Sequence, residues 1–129
     1  LSLPYVVLDY PKLFSKENTF TFRTMFWWGN YFSSTLHLEG FYLEKYKEII
    51  YDRQHLLKNK NIYFSVAKTP WEYHFNKSNY ILIDKINPET QSQRKFIKLS
   101  KRFEFSDYAN LPELSSHYFS FLLKILSNE

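Results

Sequence analysis

The stretch Thr19–Gly40, TFTFRTMFWWGNYFSSTLHLEG, decides the fold. It reads as a β-hairpin. Gly29-Asn30 suits a two-residue turn with glycine at its first central position, and both flanks are rich in Thr, Phe, Trp and Tyr, residues that favour a pleated strand. With that turn, Trp28 faces Tyr31, Phe26 faces Ser33, Thr24 faces Thr35 and Phe22 faces His37. The opposite side carries Thr21, Arg23, Met25 and Trp27 against Phe32, Ser34, Leu36 and Leu38. Neither side is plainly polar, so both are expected to be covered, one by helices and the other by a second layer, a partner or a ligand.

Elements on either side of the hairpin are coarser but consistent. Tyr5–Asp9, between Pro4 and Pro11, predicts a first or edge strand. Phe41 to about Asn59 predicts a helix, with Tyr42, Tyr46, Ile49, Ile50, Leu56 and Leu57 on one stripe. Ile62–Ala67 predicts a strand. In TPWE, Thr69, Pro70 and Glu72 have the spacing of a capping box, which predicts a helical turn over Trp71–Phe75. The run NYILIDKI predicts another strand, and NPETQSQ a polar loop. From Arg94 to Phe105, apolar Ile97, Leu99, Phe103 and Phe105 alternate with Lys98, Ser100, Arg102 and Glu104, the pattern of a half-exposed antiparallel strand with a basic outer face. A last helix is expected from about Pro112 to Ser127, opened by Asn110 with Glu113. Together these predict a single α+β domain over 1–129: a mostly antiparallel sheet, an aromatic-rich hairpin and two main helices on one face.

The composition sharpens this picture. Among 129 residues there are 13 Phe, 11 Tyr and 3 Trp against 2 Gly and 1 Met, so large rings fill the core. Tyr hydroxyls favour rims and interfaces. The absence of Cys excludes thiolate chemistry and Cys-based metal sites, and tilts the expected location to the reducing cytoplasm. No apolar run is long enough for a membrane-spanning helix, so no membrane insertion is expected. The chain starts at Leu1 rather than Met, which leaves room for a native segment ahead of it. A net charge of +4 permits anionic partners without demanding them.

No Gly-rich phosphate loop is present, and no pair of histidines has metal-ligand spacing, so neither a cofactor nor a metal is expected. His37 is the best acid–base candidate. Glu39 lies two places on along a strand, which puts both side chains on one side, and a carboxylate there would orient the imidazole. The plainer alternative is that Glu39 complements the helix that follows. Asp84-Lys85 with Asp9 are residue types a metal-dependent nuclease would use, although solvated strand ends explain them as well. The residues expected to bind are Phe22, Phe26, Trp28 and Tyr31 of the hairpin, Trp71 at a rim, and Lys98 and Arg102 on the basic strand. The leading expectation is a non-catalytic binding or protein-interaction module, self-associating as a homodimer through the aromatic face. Single-stranded nucleic acid, stacked on the same rings and neutralised by the two cations, is the second. A small-ligand protein or an enzyme built on His37 and Glu39 is the third.

Overall fold

A computed structural model of the chain describes residues 4–14, 18–27 and 31–127. Its strands are β1 (Pro4–Phe14), β2 (Thr19–Trp27), β3 (Tyr31–Glu39), β4 (Ile62–Ser65), β5 (Tyr80–Leu82) and β6 (Phe96–Glu104). They form one sheet in the order β1-β2-β3-β6-β4-β5, with every neighbouring pair antiparallel. The helices α1 (Phe41–Asp52) and α2 (Leu111–Leu126) complete the α+β architecture. Because β3 and β4 each pair antiparallel with β6, they run parallel to one another, and α1 carries the chain between them.

Both helices pack on the same face. Phe20 and Phe22 of β2, Leu36 and Leu38 of β3, Ile97 and Leu99 of β6, and Ile62 and Phe64 of β4 meet Leu43 and Ile50 of α1 and Tyr118, Leu122 and Ile125 of α2 in one buried cluster. Fully burying such side chains stabilises the fold by roughly 1.5–3 kcal/mol each. The Tyr118 hydroxyl, inside this cluster, donates to the Leu99 carbonyl at 2.8 Å.

The hairpin register differs by one residue from the expected one. Trp27 pairs with Tyr31, Phe26 with Phe32, Thr24 with Ser34, and Phe22 with Leu36. Three residues, 28–30, therefore separate the strands, and the expected Gly29-Asn30 turn and Trp28 lie outside the described residues. A one-residue slip sends every side chain of one strand to the other face. The observed register is the one that turns Phe20, Phe22, Leu36 and Leu38 together toward the helices.

Other boundaries move for identifiable reasons. β1 runs to Phe14 rather than Asp9, with register irregularities between Pro4 and Val6 and between Asp9 and Lys12. The first helix stops at Asp52, not near Asn59. Its C-cap Arg53 donates instead to the carbonyls of Ile125 (2.8 Å) and Ser127 at the far end of α2. A 3-10 turn, Gln54–Leu56, follows, and Asn59 and Asn61 take positive φ of 61° and 58°, a conformation Asn tolerates better than most residues. Between β3 and α1, Gly40 has φ 65° and ψ −129°, open to glycine because it has no Cβ. The strand after Asn79 is only Tyr80–Leu82, and a 3-10 turn over Ile83–Lys85 replaces the rest. At α2, the N-cap Asn110 makes no side-chain capping bond.

The largest departure is the segment 66–79, a strap laid over the second face of the sheet. No helical turn forms at Trp71–Phe75. The carbonyls of Pro70 and Glu72 accept from the Lys98 ammonium at 2.7 and 2.9 Å, so a side chain takes acceptors that a helix would have given to backbone N–H groups. Beneath the strap, Met25 and Trp27 pack with Tyr73 as a second buried cluster.

Candidate functional site

Beside the apolar helix-side positions Leu36, Leu38, Ile97 and Leu99, β3 and β6 carry polar residues on the strap side. At successive register positions Arg102 pairs with Ser33, Ser100 with Thr35, Lys98 with His37 and Phe96 with Glu39. The Thr35 and Ser100 hydroxyls lie 2.6 Å apart and buried. The Trp27 indole N–H donates to the Ser33 hydroxyl at 3.2 Å. Burial raises the pKa of Tyr80, which also lies on this side.

Lys98 was expected on an exposed basic face and is instead 0% exposed. Placing a strand position outside requires that nothing cover it, and the strap does. A buried ammonium persists only when its donors are satisfied. Here it has the two strap carbonyls and the face of Tyr73, with its nitrogen 3.5 Å from the ring centroid. Desolvation, aided by repulsion from Arg23 and opposed by Glu72, lowers its pKa to about 7.

His37 and Glu39 meet as their spacing predicts, with Nε2 and Oε1 3.0 Å apart. His37 is 3% exposed. Burial lowers its pKa against the upward pull of Glu39, so the imidazole is neutral at neutral pH and its Nε2–H donates to the carboxylate. The imidazole packs edge-on to Trp71 and Phe96, each at 6.2 Å. The acidic end of the pair reaches the surface and the basic end does not. The His37–Glu39 bond fixes the direction of one carboxylate oxygen and leaves the other available.

Glu39 lines two neighbouring clefts. One, of about 360 Å³, is walled by the strap residues Lys68, Thr69, Pro70 and Trp71 and by Arg94, Lys95 and Phe96. The other, of about 440 Å³, lies between the first turn of α1, at Gly40, Leu43 and Glu44, and residues 92–95. Glu39, Arg94 and Lys95 belong to both. Trp71, at the rim, is 69% exposed. Arg94 lies over the Phe96 ring at 4.7 Å and donates through one terminal nitrogen to the Ala67 carbonyl. Its Nε is buried without a hydrogen-bond partner, and desolvation lowers its pKa.

The other expected binding residues do not share one surface. Phe22 is buried under α2, stacked on Phe119 at 4.4 Å and tilted against Tyr118 at 5.8 Å. Phe26 is half-buried on that same side, stacked on Phe32 at 4.9 Å. Tyr31 points the other way, beneath the Arg102 guanidinium at 5.0 Å and against Phe75. Arg102 is exposed and 3.7 Å from Glu104. The register slip is the cause: rings assigned to one face divide between two. The sequence marked Arg94 only as the start of the last strand, and Lys95 follows it there. Lys68 carried no signal, since it joins them only through the fold of the strap.

Asp84 accepts from the Asn59 N–H at 2.9 Å, which ties the 3-10 turn after β5 to the loop after α1. Among the described residues no group of His, Asp and Glu could hold a metal ion, and no helix is long and apolar enough to cross a membrane. No protein-family model, curated protein or solved structure matches the chain.

Proposed function

We propose that the chain is a non-catalytic binding module whose site is the cleft between Trp71 and Arg94, and that its ligand is a small anion with a flat face. The observation that carries this reading is the grouping of an exposed Trp71 with Lys68, Arg94 and Lys95 around Glu39. An exposed indole offers a stacking surface. The cations favour negative charge, and the cleft volume lies within the range of about 300–1,000 Å³ common for small-ligand sites. The buried, neutral His37 holds the carboxylate in place rather than meeting a ligand itself. Titration with benzoate and with inorganic phosphate, followed by NMR, tests the reading. Shifts are expected at residues 68–71 and 94–96 and are lost in Lys95→Ala. Absence of shifts there at millimolar ligand would refute it.

A second reading is self-association at the hairpin end. It is favoured by the stack of Phe26, Phe32 and Phe105, from which Phe105 and Tyr108 emerge 47% and 65% exposed. Light scattering over a concentration series should then give a dimer mass that Tyr108→Glu reduces. A monomer mass at every concentration would remove this reading.

A further inference from the structure

The Glu39 cleft has a mixed character that a simple anion site would not need. A carboxylate placed among Lys68, Arg94 and Lys95 weakens the cleft for a bare anion. It is also no accident of a flexible surface chain, because its Oε1 is held 3.0 Å from the Nε2 of a buried histidine. A ligand that gains from this arrangement carries negative charge at one end, hydrogen-bond donors at the other and a planar ring between them.

We propose that the ligand is a nucleotide. Its base stacks on Trp71 and presents ring and amino N–H groups to the Glu39 carboxylate, and its phosphate takes Lys68 and Lys95. This rests on the cleft being a ligand site and names the class of molecule it takes. Guanine fits best. Its N1–H and exocyclic N–H lie side by side, which suits a carboxylate, and the adjacent O6 accepts a hydrogen bond. Adenine, cytosine and uracil each offer fewer donors in that arrangement. Stacking on an exposed ring tolerates any base, so Trp71 supplies affinity and Glu39 supplies choice.

The test is calorimetric titration of the full chain with GMP, AMP, CMP and UMP, with inorganic phosphate and glucose 6-phosphate as ringless and non-planar anions, and with a short single-stranded oligonucleotide. GMP is expected to bind about tenfold more tightly than the other mononucleotides, the discrimination of one good bidentate contact. Glu39→Gln should abolish that preference while phosphate binding persists, and Trp71→Ala should weaken all four nucleotides together. Thermal melting of each variant separates a lost contact from a lost fold. If the oligonucleotide binds more tightly than GMP and with a steep salt dependence, the base and phosphate come from a strand; if not, they come from the free nucleotide. Equal binding of all four bases, or of glucose 6-phosphate and GMP, overturns the proposal. If phosphate binds in the cleft and no nucleotide does, the nucleotide falls and the anion site stands. If nothing binds, both fall.

Discussion

On the helix side of the sheet, Leu36, Ile50 and Leu99 meet with essentially no exposure and no polar atom to satisfy. One residue away along the same strands, Thr35, Lys98 and Ser100 are just as buried, and each needs a partner. The first arrangement is stabilised mainly by buried area and tolerates small shifts. In the second, Thr35 and Ser100 bond each other and Lys98 donates to a strap without regular secondary structure, and the arrangement is lost if these partners are misplaced. The difference teaches where a site can form in such a fold. The helix face has no unspent polar group, whereas the strapped face brings an oriented carboxylate to its open end.

The comparison can be broken most severely on the dry side. Leu99→Ala should cost about 3 kcal/mol of unfolding free energy, transfer and cavity together, read as a lower denaturant midpoint. A loss below about 1 kcal/mol would mean this core is less tightly packed than described.

The polar side should respond to pH through Lys98 and His37. The folded pKa of Lys98 is about 7, lowered from 10.5. Between those values the unfolded chain binds the extra proton, so stability rises with pH, by on the order of 1 kcal/mol per pH unit across about pH 7.5–9.5. Below pH 7 both states are protonated and this contribution is flat. His37, also lowered, has the same sign at lower pH: stability falls as pH drops through 6.5 and the unfolded imidazole takes its proton first. Lys98→Met should remove the alkaline slope while Leu99→Ala keeps it. An unchanged slope in Lys98→Met would assign it to another group.

Smaller effects sharpen the contrast at the edges. Arg53→Met removes the donor to the Ile125 and Ser127 carbonyls and should cost about 1–2 kcal/mol. Hydrogen exchange should localise the loosening to the end of α2; loosening confined to α1 would contradict that role. Trp71→Ala should change stability by less than about 0.5 kcal/mol, because the indole is mostly in water. A large loss of melting temperature would make Trp71 a structural plug rather than a rim.

Within each element the helix side was readable in the sequence because its signals are periodic, although the expected hairpin register set Phe22 and Leu36 on opposite faces. Phe20 and Phe22, Leu36 and Leu38, and Ile97 and Leu99 repeat at two residues, and Tyr118, Leu122 and Ile125 at three or four. The pairing of His37 with Glu39 followed from the same alternation. What escaped was whatever depends on a segment without period. The strap covers Lys98, an outcome not encoded near that residue, and it leaves Trp71 exposed without the helical turn expected there. Alternation states that Lys98 faces away from Leu99; it does not state whether water or backbone carbonyls lie there. The hairpin register turned on residues 28–30, where one residue of turn length moves half the rings to the other face.

β6 is the last strand in the chain and an interior strand of the sheet, seated between β3 and β4. This has a consequence for how the protein assembles. The segment from β1 to β3 can pair in chain order as it is synthesised, but β4 finds no edge beside β3 until some 30 residues more have been made and β6 slots between them. Half of the sheet therefore waits on a distant sequence, which favours slow, all-or-none folding over stepwise zippering. A chain ended before Phe96 would present the polar edge of β3 with nothing to pair it, a template for association with other unfinished copies.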